Sequence, residues 1–312
     1  MEEKKPVLQV THFTKDYGYG RGVFDASIEV YPGECFGYLG PNGAGKSTTI
    51  RHIMGFSKPD KGEILVFGND AWKCYSENLR RIGYIPGEIV LPAGLSGEKF
   101  LTIQQEMCGI KNNDLKNELI DYFELTPAML KTDTKRMSLG VKRKLAIVSA
   151  FMSDPEVYIL DEPTSGLDPR MQNRFVEYIL KQKEKGKTIL LSSHIFSEVD
   201  AVCDRIAIIK EGRIVNTFHA DELRHAANKT YEVTFGDDSS LEQFASAELP
   251  IQIVDRNDEK KKLVFVAHDK EISKVLTAIK PLSVIGFSNH KESLQDYFMR
   301  FYVNDKNFGG LQ

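Results

Sequence analysis

Cys35-Phe36-Gly37-Tyr38-Leu39-Gly40-Pro41-Asn42-Gly43-Ala44-Gly45-Lys46-Ser47-Thr48 joins a short apolar run to a glycine-rich turn ending in a lysine and two hydroxyl residues. The run Cys35–Leu39 has the length and side chains of a strand. A helix is expected over about Ser47–Gly55, closed by glycine. Gly40-x-x-x-x-Gly45-Lys46-Ser47 fits the phosphate-binding loop pattern in full, and it lies after a strand and before a helix, as that loop requires. Glycines let the backbone curl so that successive N–H groups converge on phosphate oxygens. The following helix adds the partial positive charge of its N-terminus. Lys46 is expected to reach the β- and γ-phosphates of ATP, and the Ser47 hydroxyl to hold Mg²⁺. Gly40, Pro41, Asn42, Gly43, Ala44, Gly45, Lys46, Ser47 and Thr48 form the expected phosphate-binding set.

Two further apolar runs end in chemistry. Val157-Tyr158-Ile159-Leu160 leads into Asp161-Glu162, and Thr188-Ile189-Leu190-Leu191 leads through two serines to His194. Runs of this kind are strands buried on both faces, and ligands of open α/β sheets bind at the carboxyl ends of strands. Asp161 is therefore expected beside the phosphate loop as a Mg²⁺ ligand, and Glu162 as the base or water-orienting group. His194 is expected to donate a hydrogen bond to the γ-phosphate. No G-x-S-x-G elbow supports a serine hydrolase. The turn Gly18-Tyr19-Gly20-Arg21-Gly22-Val23 misses the dinucleotide fingerprint because its last position is valine.

The surrounding elements follow from periodicity. Strands are expected at 7–14, 22–31, 64–67 and 82–85. Residues 88–153 read as a helical subdomain inserted in the core. The amphipathic helix Arg170–Lys185 between two strands argues for parallel pairing, and 204–218 reads as two strands joined at Glu211-Gly212. From about Lys229 the pattern restarts: strand 230–235, helix 239–247, strands 250–255 and 262–267, helix 269–280, strand 283–287 and helix 291–303. The expected division is a domain over 1–228 and a small α/β domain over 229–312.

Of the 312 residues, 41% are hydrophobic and 27% charged, with a net charge of −3. That balance lacks the basic excess that grips nucleic acid, so no nucleic-acid partner is expected. The four cysteines have no C-x-x-C spacing, and they read as reduced thiols of a cytoplasmic protein rather than zinc ligands. The charged start Met1–Lys5 carries no apolar leader core. No apolar stretch approaches the roughly 20 residues that span a bilayer.

Together these residues resemble the ATP-binding cassette (ABC) ATPases over about 7–220. Gly40–Thr48 is similar to the Walker A loop, Val157–Glu162 to Walker B, Ser165-Gly166-Leu167-Asp168 to the D-loop and His194 to the switch histidine. Tyr17 is similar to the aromatic residue that stacks on adenine. Met137-Ser138-Leu139-Gly140-Val141 resembles the LSGGQ signature at Ser138 and Gly140 and departs at Leu139 and Val141. The family's usual glutamine after the strand at 82–85 is replaced by Gly87, followed by Glu88. The resemblance implies an α/β phosphate-loop NTPase core with a mixed sheet. It also implies a second ATPase subunit whose Ser138 helix contacts the ATP held by the first, and an integral membrane permease. The looser signature, the missing glutamine and the aromatic C-terminal run 292–302 resemble the branch that exports drugs, bacteriocins or antibiotics. This implies a cytoplasmic subunit, peripheral on the inner face of the membrane, with a dimerising or regulatory role for 229–312. An importer ATPase and an ATPase acting on ribosomes or DNA are the rival readings.

Overall fold

The computed structural model describes residues 5–224, 228–290, 294, 298 and 299, in two compact units, Met1–Phe218 and His219–Gln312. The first carries β1 (Leu8–Asp16), β2 (Gly22–Val30), β3 (Cys35–Leu39), β4 (Lys61–Val66), β5 (Asn69–Asp70), β6 (Ile82–Ile85), β7 (Val157–Asp161), β8 (Thr188–Ser193), β9 (Arg205–Lys210) and β10 (Arg213–His219), whose last residue crosses the boundary. A six-stranded sheet runs in the order β10-β9-β3-β8-β7-β6, and an antiparallel sheet in the order β2-β1-β4-β5. In the larger sheet the β9/β3, β3/β8, β8/β7 and β7/β6 pairs are all parallel.

Every residue of β3, β7 and β8 is buried. Their side chains have no solvent face to serve, which is why these segments read as apolar runs interrupted only toward their ends, by Asp161 in β7 and by Thr188, Ser192 and Ser193 in β8. Burying one such Ile or Leu stabilises the fold by about 1.5–3 kcal/mol. The Lys46–Ile53 helix stops two residues before Gly55, short of the expected end. Gly55 takes φ 69°, and its N–H donates to the His52 carbonyl over 3.1 Å, while Phe56 N–H donates to Arg51 over 2.9 Å. That left-handed cap lies outside the helix it closes.

Between β6 and β7 no described residue belongs to a strand, and the α-helices are Gly97–Met107, Asp114–Tyr122, Pro127–Lys131 and Leu139–Phe151. The side chains of Ser96 and Ser138 accept hydrogen bonds from Lys99 N–H and Val141 N–H and so cap the first and last of these. The Pro169–Glu184 helix is capped by Asp168, whose Oδ1 accepts from Met171 N–H over 3.0 Å, with proline at its first position. Cys35 and Cys203 are buried with their Sγ atoms 3.8 Å apart, and Cys108 is exposed.

The second unit runs β11 (Asn228–Phe235), helix Asp238–Ala245, β12 (Ile251–Asn257), β13 (Lys262–His268), helix Ile272–Ile279 and β14 (Val284–His290). Its strands order as β12-β13-β11-β14, antiparallel throughout. Its own core gathers Val233, Phe235, Phe244, Leu263, Phe265 and Val275. The expected helix over 291–303 falls almost entirely outside the described residues.

Candidate active site

The strand order sets the site. β8 lies between β3 and β7, and register pairs Leu39 with Ser193 and Asp161 with Ser192. The next residue along each chain is Gly40, His194 or Glu162. Three segments far apart in sequence therefore leave the same sheet edge side by side, at the strands' carboxyl ends.

The loop between β3 and its helix is shaped by two glycines. A Cβ at Gly40 would sit 2.5 Å from the Ile209 carbonyl oxygen, so only glycine lets the loop lie against β9. Gly45 has φ 112°, a conformation open chiefly to glycine. Lys46 is 4% exposed. Its Nζ donates to the Gly40 carbonyl over 2.6 Å and to the Pro41 carbonyl over 3.1 Å, holding the side chain back along the loop.

Glu162 takes φ 46°, in the left-handed region that a glutamate enters at a cost. Its N–H still donates to the Ser192 carbonyl over 3.0 Å. The backbone thus leaves the line of β7 at this residue. Its carboxylate stands 3.3 Å from Lys46 Nζ through one oxygen and 3.4 Å from His194 Nδ1 through the other. The His194 hydrogen bond first, and the Lys46 charge after it, hold the Glu162 carboxyl at about 2. Burial lowers the Lys46 value, and Glu162 opposes that shift. The hydrogen bond to Glu162 raises the His194 imidazole above 6.5. This His194–Glu162 attraction is complete below about pH 6.5 and fades as pH rises through the elevated imidazole value. Glu162 stays charged throughout that window. In NMR titrations of the imidazole, His194 is expected to titrate above 6.5, and to fall back toward it in Glu162→Gln. An unshifted imidazole in the native chain would contradict the pairing.

Lys46 and Glu162 lie in a cleft of about 550 Å³, together with Tyr17, Pro41, Asn42, Gly43, Gly45, Ser47, Thr48 and Asp161. Of the expected set, Gly40 and Ala44 are not on the cleft wall, and Ala44 is buried in the core beneath the loop. His194 reaches the site through Glu162. Ser138 and Gly140 lie outside the cleft. Ser138 caps its helix and is exposed, and Gly140 lies against the D-loop, where an added Cβ would be 3.1 Å from the Gly166 carbonyl oxygen.

Tyr17 is 55% exposed on the cleft rim, with Lys15 Nζ 5.9 Å from its ring centroid. Stacking of a base on an aromatic ring is worth about 1–3 kcal/mol. Tyr17→Ala is expected to weaken ATP binding by that amount in a titration, with turnover at saturating ATP unchanged; undiminished affinity would remove the stacking role.

Sequence reasoning missed Ser192, a buried hydroxyl that donates to Asp161 Oδ1. Its signal was a serine inside an apolar strand, legible only once β8 is placed beside β7. It also missed the cleft residues Arg21, Arg51 and Tyr84.

A parallel sheet whose phosphate loop, paired acids and histidine meet at one edge defines a phosphate-loop nucleoside triphosphatase. Residues 23–165 match the family model described as ABC transporter. Over 299 residues the chain is 32% identical to the Bacitracin transport ATP-binding protein BcrA of Bacillus licheniformis, covering 94% of this chain and 96% of that one. The chain belongs to the ABC transporter ATP-binding subunits, and its reaction is hydrolysis of ATP to ADP and phosphate. It is also 38% identical to the Linearmycin resistance ATP-binding protein LnrL of Bacillus subtilis (strain 168), over 67% of this chain and 68% of that protein. Among solved structures, an ATP binding subunit of an ABC transporter superposes with a TM-score of 0.64 at 33% identity, covering 70% of this chain and 92% of the other.

Proposed function

We propose that this chain is the energy-coupling ATPase of an exporter whose cargo is a drug, peptide or antibiotic. In this reading it works with a separately encoded integral membrane permease and a second ATPase subunit. The cargo class rests on the bacitracin and linearmycin relatives. The chemistry rests on one observation, the Lys46–Glu162–His194 chain of contacts in the cleft that also holds Ser47 and Asp161.

Lys46 and the loop N–H groups bind the β- and γ-phosphates. Mg²⁺ suits the cleft. A hard cation takes oxygen donors, and Ser47 and Asp161 both offer them there. Gly87 leaves the Asp161 Oδ2 side open, since a Cβ at that position would approach it to 3.0 Å. Bound there, the ion supplies charge neutralisation at the phosphate oxygens.

Glu162 orients or deprotonates the attacking water. A carboxylate held at about 2 is a weak base. A phosphate that shares the Lys46 charge removes one of the two cations depressing it, so the triphosphate itself raises the basicity of Glu162. His194 donates to the γ-phosphate and holds Glu162 in place. Catalysis is positioning and electrostatics, with no covalent intermediate.

Ser138 and Gly140, which stand outside their own chain's cleft, serve the ATP bound by the second subunit. The helices between β6 and β7 carry the motion to the permease. No described helix is long and apolar enough to cross a membrane, and we place the chain on the inner membrane face as a peripheral subunit. The His219–Gln312 unit serves dimerisation or regulation. Affinity purification from detergent-solubilised membranes is expected to recover a polytopic protein with the tagged chain. Recovery of the chain alone, with an ATPase indifferent to membranes, would overturn the transport reading.

A further inference from the structure

Arg143 lies on the Leu139–Phe151 helix, and it is 2% exposed. A guanidinium so deeply buried ordinarily faces a carboxylate. Here its described partners are all main-chain carbonyls. Nε donates to Ser165 over 3.0 Å, one terminal nitrogen to Pro86 over 2.9 Å and the other to Gly87 over 2.8 Å. These carbonyls belong to two loops that flank the paired acids. Pro86 and Gly87 follow β6 and line the cleft. Ser165 lies three residues beyond Glu162, and its N–H donates back to the Glu162 carbonyl over 3.2 Å.

Gly87 makes the spacing between loop and acid consequential. An added Cβ there would lie 3.0 Å from Asp161 Oδ2 and 3.3 Å from its Cγ. The loop therefore passes near enough to the Asp161 carboxylate that even a methyl group at residue 87 would crowd it. Nothing from residue 87 itself can hold it there, because glycine offers no polar group beyond its backbone. Arg143 supplies the hold from outside, with a planar fork whose donors point in fixed directions.

We propose that Arg143 is a positioning residue for ATP hydrolysis: it fixes the Pro86–Gly87 loop and the Ser165 turn around Asp161 and Glu162, coupling the helix capped by Ser138 to the acids of its own chain. The inference rests on the ATPase site as read above. It explains how a chain with glycine at position 87 keeps that loop registered against the Asp161 carboxylate. The burial that lowers the Arg143 value is opposed by the charges of Glu162 and Asp161, which places the guanidinium within electrostatic reach of both acids.

The test is a double-mutant cycle on the full chain with Arg143→Met and Gly87→Ala, reading kcat and ATP affinity separately. Misplacement of a reacting group by an ångström costs on the order of 100-fold. Arg143→Met is expected to lower kcat about 10- to 100-fold while ATP affinity stays within about threefold, since the Lys46 loop is untouched. Arg143→Lys, with the charge but not the fork, is expected to restore part of that loss. In Gly87→Ala the new Cβ crowds Asp161. Once Arg143 is gone the loop is free to retreat, so the double variant is expected to be no worse than about threefold below the poorer single one. Fold-losses that multiply would show that Arg143 and the loop act independently and would overturn the proposal, as would native kcat in a folded Arg143→Met. If Arg143→Met does not fold, the same cycle with Arg143→Lys decides between those outcomes. Failure of the underlying site reading has a separate mark, native turnover in Glu162→Gln.

Discussion

Glu162→Gln is expected to keep ATP and nearly stop hydrolysing it, with kcat lowered about 10²- to 10⁴-fold, the range a positioned acid or base contributes. The amide is isosteric, so the backbone at φ 46° and the main-chain bond to Ser192 need not change. It cannot accept a proton at neutral pH, and it attracts Lys46 far less. Lys46 is then freer to serve phosphate, so ATP affinity is expected to hold or rise. With ATP retained, the variant is expected to accumulate as a dimer in light scattering after size exclusion if, as proposed, the γ-phosphate joins two subunits. Single-turnover and steady-state kinetics check the rate, and native turnover would take Glu162 out of its role.

Lys46→Ala is expected to act on binding instead. A hydrogen bond to a charged group is worth about 1.5–3 kcal/mol, so loss of the ammonium weakens ATP binding about 10- to 100-fold. The Gly40 and Pro41 carbonyls also lose their donor, which loosens the loop that carries the remaining N–H groups. The rise in melting temperature that saturating ATP gives the native chain is expected to vanish at the same ATP concentration. Without ATP the fold should survive, since desolvation of a buried ammonium offsets much of what its contacts contribute. An undiminished ATP-dependent shift would exclude Lys46 from phosphate binding.

What the sequence made legible, and what it hid, follows from where the information lies. β3, β7 and β8 were readable because a strand buried on both faces is apolar over most of its length, and the few polar residues at the ends of β7 and β8, Asp161, Ser192 and Ser193, stand out against it. The phosphate loop was readable because its glycines, lysine and hydroxyl have fixed spacing. That spacing does not say which residues line the cleft, and Gly40 and Ala44 do not. The Phe196–Val202 helix was missed: at seven residues it is too short to establish a period. The Tyr75–Asn78 helix and β5 are shorter still. The bond from Ser192 to Asp161 and the three bonds of Arg143 span 22 to 57 positions of chain. Contacts at that range are set by strand order and helix packing, which no local pattern records.

The left-handed backbone at Glu162 bears on how this position can drift. Random substitution there meets two filters with opposite preferences. The main chain is most comfortable with glycine, which enters that conformation freely, whereas hydrolysis demands a long acid that the main chain resists. On the proposed role of Glu162, a lineage released from the need to split ATP would therefore be drawn toward a quieter, more relaxed chain at this residue.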